Sequence, residues 1–126
     1  MCPREKALPV RAVLEQVKMP SKARPRLAGE GLVLAVDTPD GEEAEVHVAL
    51  GTGDVIAQES AEIADEHGAD RPDHDQIATY DARYEITWNL DESEHVFDTY
   101  HTIAYRIRRA VGGVTFDLVE KTFVEA

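Results

Sequence analysis

Five side chains with metal- and proton-handling chemistry fall within nine residues: His67, Asp70, Asp73, His74 and Asp75. Imidazole and carboxylate at short loop spacing suit zinc, manganese or a harder cation. The spacing completes no established ligand pattern: there is no His-Glu-x-x-His and no calcium loop closing on Glu. Pro72 favours a turn over a preformed cage, so a solvated or partner-facing loop is the first expectation. Further on, Asp98, His101 and Tyr105 stand three and four apart in a helical pattern, where a carboxylate can orient a histidine for acid–base work. No nucleophile is paired with them. Ser60 and Ser93 are accounted for by helix packing or capping, and Cys2 is expected at a frayed end. His47 and His95 fall on a polar hairpin face and at a helix start. Gly51-Thr-Gly-Asp54 lacks the third glycine or Lys-Ser/Thr of a nucleotide loop, and Asp54 would repel phosphate. The residues therefore name no catalytic group, no cofactor and no metal site. A small enzyme or metal-binding protein using the 67–75 loop or the Asp98/His101 pair stays as an alternative.

The charge says more. Residues 1–30 carry seven Lys/Arg against three Asp/Glu, residues 31–103 two against nineteen, and residues 104–126 four against three, for a net charge of −12. Such a middle repels phosphate backbones and anionic membrane surfaces, so direct nucleic-acid or membrane binding is not expected. A basic protein would be attracted and steered in fast. Acidity that merely keeps the chain soluble, or reflects a salt-adapted proteome, is the plainer explanation of the same fact. No apolar run is long enough to span a bilayer, and the first residues lack the apolar core of a secretory signal. A lone cysteine agrees with a reducing compartment, so a cytoplasmic protein is expected.

The elements that must position these groups follow from periodicity. Residues 9–18 place Val10, Val13, Leu14 and Val17 at helical spacing after Pro9, with a strand as the competing reading. Met19 to Gly31 reads as a basic connector, because Pro20, Pro25 and Gly29 break any period; it either folds back on the acidic body or is a mobile arm. Leu32–Val36 and Ala44–Leu50 flank Asp37-Thr-Pro-Asp-Gly41, the chemistry of a hairpin turn. A helix is predicted from about Asp54 to Gly68, capped by Thr52 or Asp54, burying Val55, Ile56, Ile63 and Ala64. A polar loop at 70–76 leads to a strand at 78–88, with Ala82, Tyr84, Ile86 and Trp88 on one face. A second helix at 93–111, capped by Asp91 or Ser93, is expected to bury one stripe of Val96, Phe97, Tyr100, Ile103, Ala104, Ile107 and Val111 and stops at Gly112-Gly113. Strands at 114–118 and 122–124 close the chain. The fold class is α+β: one domain over 1–126, a two-layer sandwich with a mixed, mostly antiparallel sheet of about four to five strands and two long amphipathic helices on one face. Residues 1–30 form its basic N-terminal helix or strand plus connector.

Size, charge and the absence of a catalytic motif compare with bacterial immunity proteins and nucleic-acid mimics, an analogy of class and not of residues. The expectation is a small acidic protein that blocks a basic partner, a toxin or a nucleic-acid-binding protein, as a monomer or homodimer. The carboxylates expected to carry it are Glu62, Glu66, Asp70, Asp73, Asp75, Glu92, Glu94 and Asp98. A self-associating structural subunit, pairing through a sheet edge or through Leu32–Val36, is the further alternative.

Overall fold

Leu32-Val-Leu-Ala-Val36 is apolar at every position, so as a strand it needs cover on both faces. The computed structural model, which describes residues 1–89 and 94–124, gives it that cover. Strands β1 (Ala23–Ala28), β2 (Gly31–Asp37), β3 (Glu43–Thr52) and β4 (Ala82–Trp88) form a four-stranded antiparallel sheet in the order β1-β2-β3-β4. All five residues from Leu32 to Val36 are buried. With β1 on one side and β3 on the other, this strand has no edge left to pair with a copy of itself.

The chain sorts into two compact units, one of Leu8–Leu50 and Glu85–Ala110, the other of Met1–Ala7, Gly51–Tyr84 and Val111–Ala126. In the first, the inner sheet face is Leu32, Leu34 and Val36 beside Ala44, Val46 and Val48, all buried. Helix α1 (Val10–Gln16) packs on β2 and buries Val10 and Val13. Helix α4 (Glu94–Val111) turns Val96, Ile103 and Ile107 inward, whereas Phe97, expected on the same buried stripe, lies one residue off that row and is 49% exposed. Trp88 stacks on Tyr100 of α4 at 3.8 Å between ring centroids. Arg106 of the same helix donates to the carbonyls of Lys18 and Met19.

The stretch expected as a connector from Met19 to Gly31 is a correction: residues 23–28 are β1. The strand was hidden because its alternation is written in cations. Arg24 pairs in register with Ala35, and Arg26 with Val33. Pro25 cannot donate to a ladder, which an edge strand tolerates. Arg24 then reaches Asp37 at 2.9 Å and Glu43 at 2.9 Å, and Arg26 crosses β2 to Glu45 at 3.0 Å. Arginine stems crossing the outer face cover Val33 and Ala35 while their guanidiniums stay wet. The basic segment does fold back on the acidic body.

In the second unit, α2 (Asp54–His67) buries Ile56, Ser60 and Ala64, one row of every fourth residue. Val55, expected inside, lies off that row and is 67% exposed. Gly53 holds the N-cap position with no side-chain cap, and its N–H donates to the Asp81 carbonyl. The expected loop at 70–76 contains one helical turn, α3 (His74–Ile77), and residues 78–81 lead into β4 without pairing as strand. Ile77 and Tyr80 pack with Ala64, against Met1, Val114 and Phe123. Strands β5 (Thr115–Asp117) and β6 (Thr122–Val124) pair as a separate two-stranded sheet.

The N-terminus is not frayed. Cys2 exchanges both backbone hydrogen bonds with Ala82, and the Met1 amine donates to the Val114 carbonyl at 2.9 Å. Cys2 is fully buried, and burial pushes its thiol up, away from the reactive thiolate. Gly112 ends α4 with φ +72°, the left-handed residue that a helix stop favours. Gly113 then passes so close to Met1 that a Cβ there would run into the Met1 carbonyl and the Cys2 side chain. Gly113→Ala is therefore expected to cost about 2–3 kcal/mol in urea unfolding, as overpacking against backbone does. Gly29→Ala, facing open space, is expected to cost about 1 kcal/mol from its left-handed backbone alone. Equal costs would contradict the close approach of the two segments.

Candidate functional site

Helix α2 settles which carboxylates face water. With Ile56, Ser60 and Ala64 inward, Glu62, Asp65 and Glu66 fall on the opposite side and are exposed, and Asp70 is exposed beyond the helix end. Glu62 and Asp70 make no ion pair among the described residues. Glu66 lies 3.7 Å from the imidazole of His67, whose ring also rests on Phe116 at 5.3 Å between centroids.

His74 joins the helix to the loop. Its Nε2 sits 2.9 Å from Asp65 of α2 and its Nδ1 3.0 Å from Asp75. The hydrogen bond to Asp75, then that to Asp65, favours the charged imidazolium and raises the histidine above its ordinary 6.5. Asp73 is placed differently. Arg71 grips it with two nitrogens, at 2.8 and 3.0 Å, and holds its carboxyl below the usual range. Arg71 also lies 4.3 Å above the Phe123 ring. Asp73 is thus committed inside the chain, whereas Glu62, Glu66, Asp70 and Asp75 present carboxylates outward.

The 67–75 stretch does not gather into a ligand set. Among the described residues no three His, Cys, Asp or Glu side chains converge to hold a metal ion. Both imidazole nitrogens of His74 already face carboxylates. The other pair proposed for chemistry does not form a hydrogen-bonded couple either. Asp98 is exposed, and the His101 ring lies against Phe97 at 4.1 Å and Tyr100 at 4.6 Å between centroids. Glu94 is exposed in the first turn of α4. Glu92, and the caps expected at Asp91 and Ser93, lie outside the described residues.

Elsewhere the arginines are spent on other acids. Arg24 takes Asp37 and Glu43, Arg26 takes Glu45, and Arg83 takes Glu59. Arg24 holds the Asp37 carboxyl below its ordinary range by a hydrogen-bonded ion pair. His47 stands 3.3 Å from Glu45, on the polar hairpin face where alternation put it. Asp65 is the residue the candidate set missed. Its position three beyond Glu62 places both on one helix face, which was the available signal.

An α+β chain with a four-stranded antiparallel sheet is the class this architecture defines. Comparison with protein-family models, with curated proteins and with solved structures gives no match. No helix among the described residues is long and apolar enough to cross a membrane.

The histidine bridge has a measurable signature. A folded-state value raised above 6.5 means that its stabilisation is fully present below pH 6.5 and is lost as pH rises through the folded midpoint. The stability difference between wild type and His74→Gln should therefore shrink across that window. The ring resonances of His74 should titrate with a midpoint above 6.5. A midpoint at or below that value would show that the two aspartates do not hold it in solution.

Proposed function

We propose that the protein binds a basic protein partner through the outward carboxylates of α2 and the loop beyond it, Glu62, Glu66, Asp70 and Asp75, and so acts as an inhibitor of that partner. The observation that supports this reading is where the arginines go. Arg24, Arg26, Arg71 and Arg83 are each engaged by another carboxylate, Asp37 and Glu43, Glu45, Asp73 and Glu59 respectively. Glu62 and Asp70 are left without an ion pair among the described residues, in a chain of net charge −12.

Concentrated like charge costs stability through self-repulsion, and a cationic surface relieves that cost. It also draws the partner in from a distance, so association is fast at low ionic strength and slows as salt screens the field. Immobilised wild type should retain basic proteins from its source lysate at low salt and release them at high salt. A folded triple variant, Glu62→Lys with Glu66→Lys and Asp70→Lys, should not retain them. Retention of the same proteins by both chains, or retention indifferent to salt, removes the proposal.

A further inference from the structure

Two carboxylates claim the two ring nitrogens of His74. Nε2 lies 2.9 Å from Asp65 on α2 and Nδ1 3.0 Å from Asp75 on α3, so the ring joins two elements of the acidic surface. An ionised carboxylate accepts hydrogen bonds and donates none, whereas a neutral imidazole has a single N–H to give. Both contacts are therefore satisfied at once only by the imidazolium. Loss of one proton leaves a nitrogen lone pair facing a carboxylate oxygen, and one of the two contacts must open.

The charges around the ring come from three places. From α2 there is Asp65, with Glu62 and Glu66 also exposed on that helix and His67 beside Glu66 at 3.7 Å. From the loop there are Asp70, which is exposed, and Asp73, which is held by Arg71. From α3 itself there is Asp75, whose side chain stands fully in water. On its inner side α3 packs through Ile77 on Ala64. The hydrogen bonds to Asp75 and Asp65 raise the histidine above 6.5, so its proton leaves at a midpoint higher than that. Near neutrality the carboxylates stay ionised, and the histidines are the side chains whose charge changes there.

We propose that His74 is a proton-operated clasp on the acidic surface. Protonated, it engages Asp65 and Asp75 and ties α2 to α3. Deprotonated, it releases one of them and leaves the surface one charge more negative, so that a basic partner binds more tightly. The clasp rests on the acidic surface proposed above, whose regulation it supplies. Two effects act in the same direction. The lost cation no longer repels a lysine or arginine, and the released carboxylate has an oxygen to offer it. One unit charge at a separation of about 6 Å through solvent is worth about threefold in affinity at low salt.

Decalysine is a histidine-free basic probe whose charge is constant from about pH 5.5 to 8.5. Calorimetric titration over that range at low salt should show its affinity for wild type rising about threefold. The midpoint of the rise should coincide with that of the His74 ring resonances. His74→Gln, uncharged throughout, should hold the high-pH affinity at every pH, and His74→Lys, charged throughout, the low-pH affinity. His67→Gln should keep the rise. A flat wild-type profile overturns the clasp. So does a rise that survives in His74→Gln, is lost in His67→Gln, or is displaced from the midpoint of the ring. The triple variant at Glu62, Glu66 and Asp70 separates clasp from surface. If it binds decalysine as wild type does, the acidic surface falls and the clasp with it. If it loses the peptide while wild type shows no dependence on pH, the clasp alone falls.

Discussion

A strand that is apolar on both faces can exist only as the middle of something. Leu32–Val36 imposes that condition here, and much of the first unit answers it. Helix α1 packs on β2, and α4 buries a row of its own in the same unit. The outer face is covered by β1, which brings arginine where a helix might have been expected. Long aliphatic stems seal Val33 and Ala35, and the charged heads close on Asp37, Glu43 and Glu45. Packing and electrostatics are met by the same two side chains.

That solution decides how charge is distributed over the chain. The basic N-terminal part is partly consumed in roofing the hairpin: two of its arginines, Arg24 and Arg26, pair with the sheet carboxylates Asp37, Glu43 and Glu45. The middle segment holds two arginines of its own, Arg71 and Arg83, and both have acidic partners. Glu62 and Asp70 remain outward in the second unit without an ion pair among the described residues, while Asp65 is held by His74. Exposed ion pairs of this kind contribute little stability each. Their larger effect is to settle which surface stays negative.

Periodicity made the main elements legible because each buries one continuous row: the hairpin by alternation, α2 and α4 by their three-and-four spacing. β1 was opaque for a physical reason. An exposed edge strand next to an apolar neighbour needs cover on one side and solubility on the other, and Arg-Pro-Arg serves that need without an apolar alternation to read. The anchoring of Met1 and Cys2 was equally invisible, since pairing with Ala82 and Val114 is a long-range backbone event that leaves only Gly113 as a trace. Val55 was misplaced by choosing the wrong phase at a helix end, where one residue shifts a side chain by a quarter turn or more. For the candidate site, the inventory of carboxylates was readable and their pairing was not. Nothing local distinguishes Asp73, held by Arg71, from Asp70 three residues away.

Helix α4 shows how one element can carry two kinds of information. Its inner row needs only apolar residues at the right spacing, and many sequences would meet that demand. Its outer row is under no such constraint, because a solvated face folds equally well with scattered polar side chains. The rings of that outer row are nonetheless in contact within the chain, Phe97 with Tyr100 and His101, and Tyr105 beneath Arg108 and Arg109.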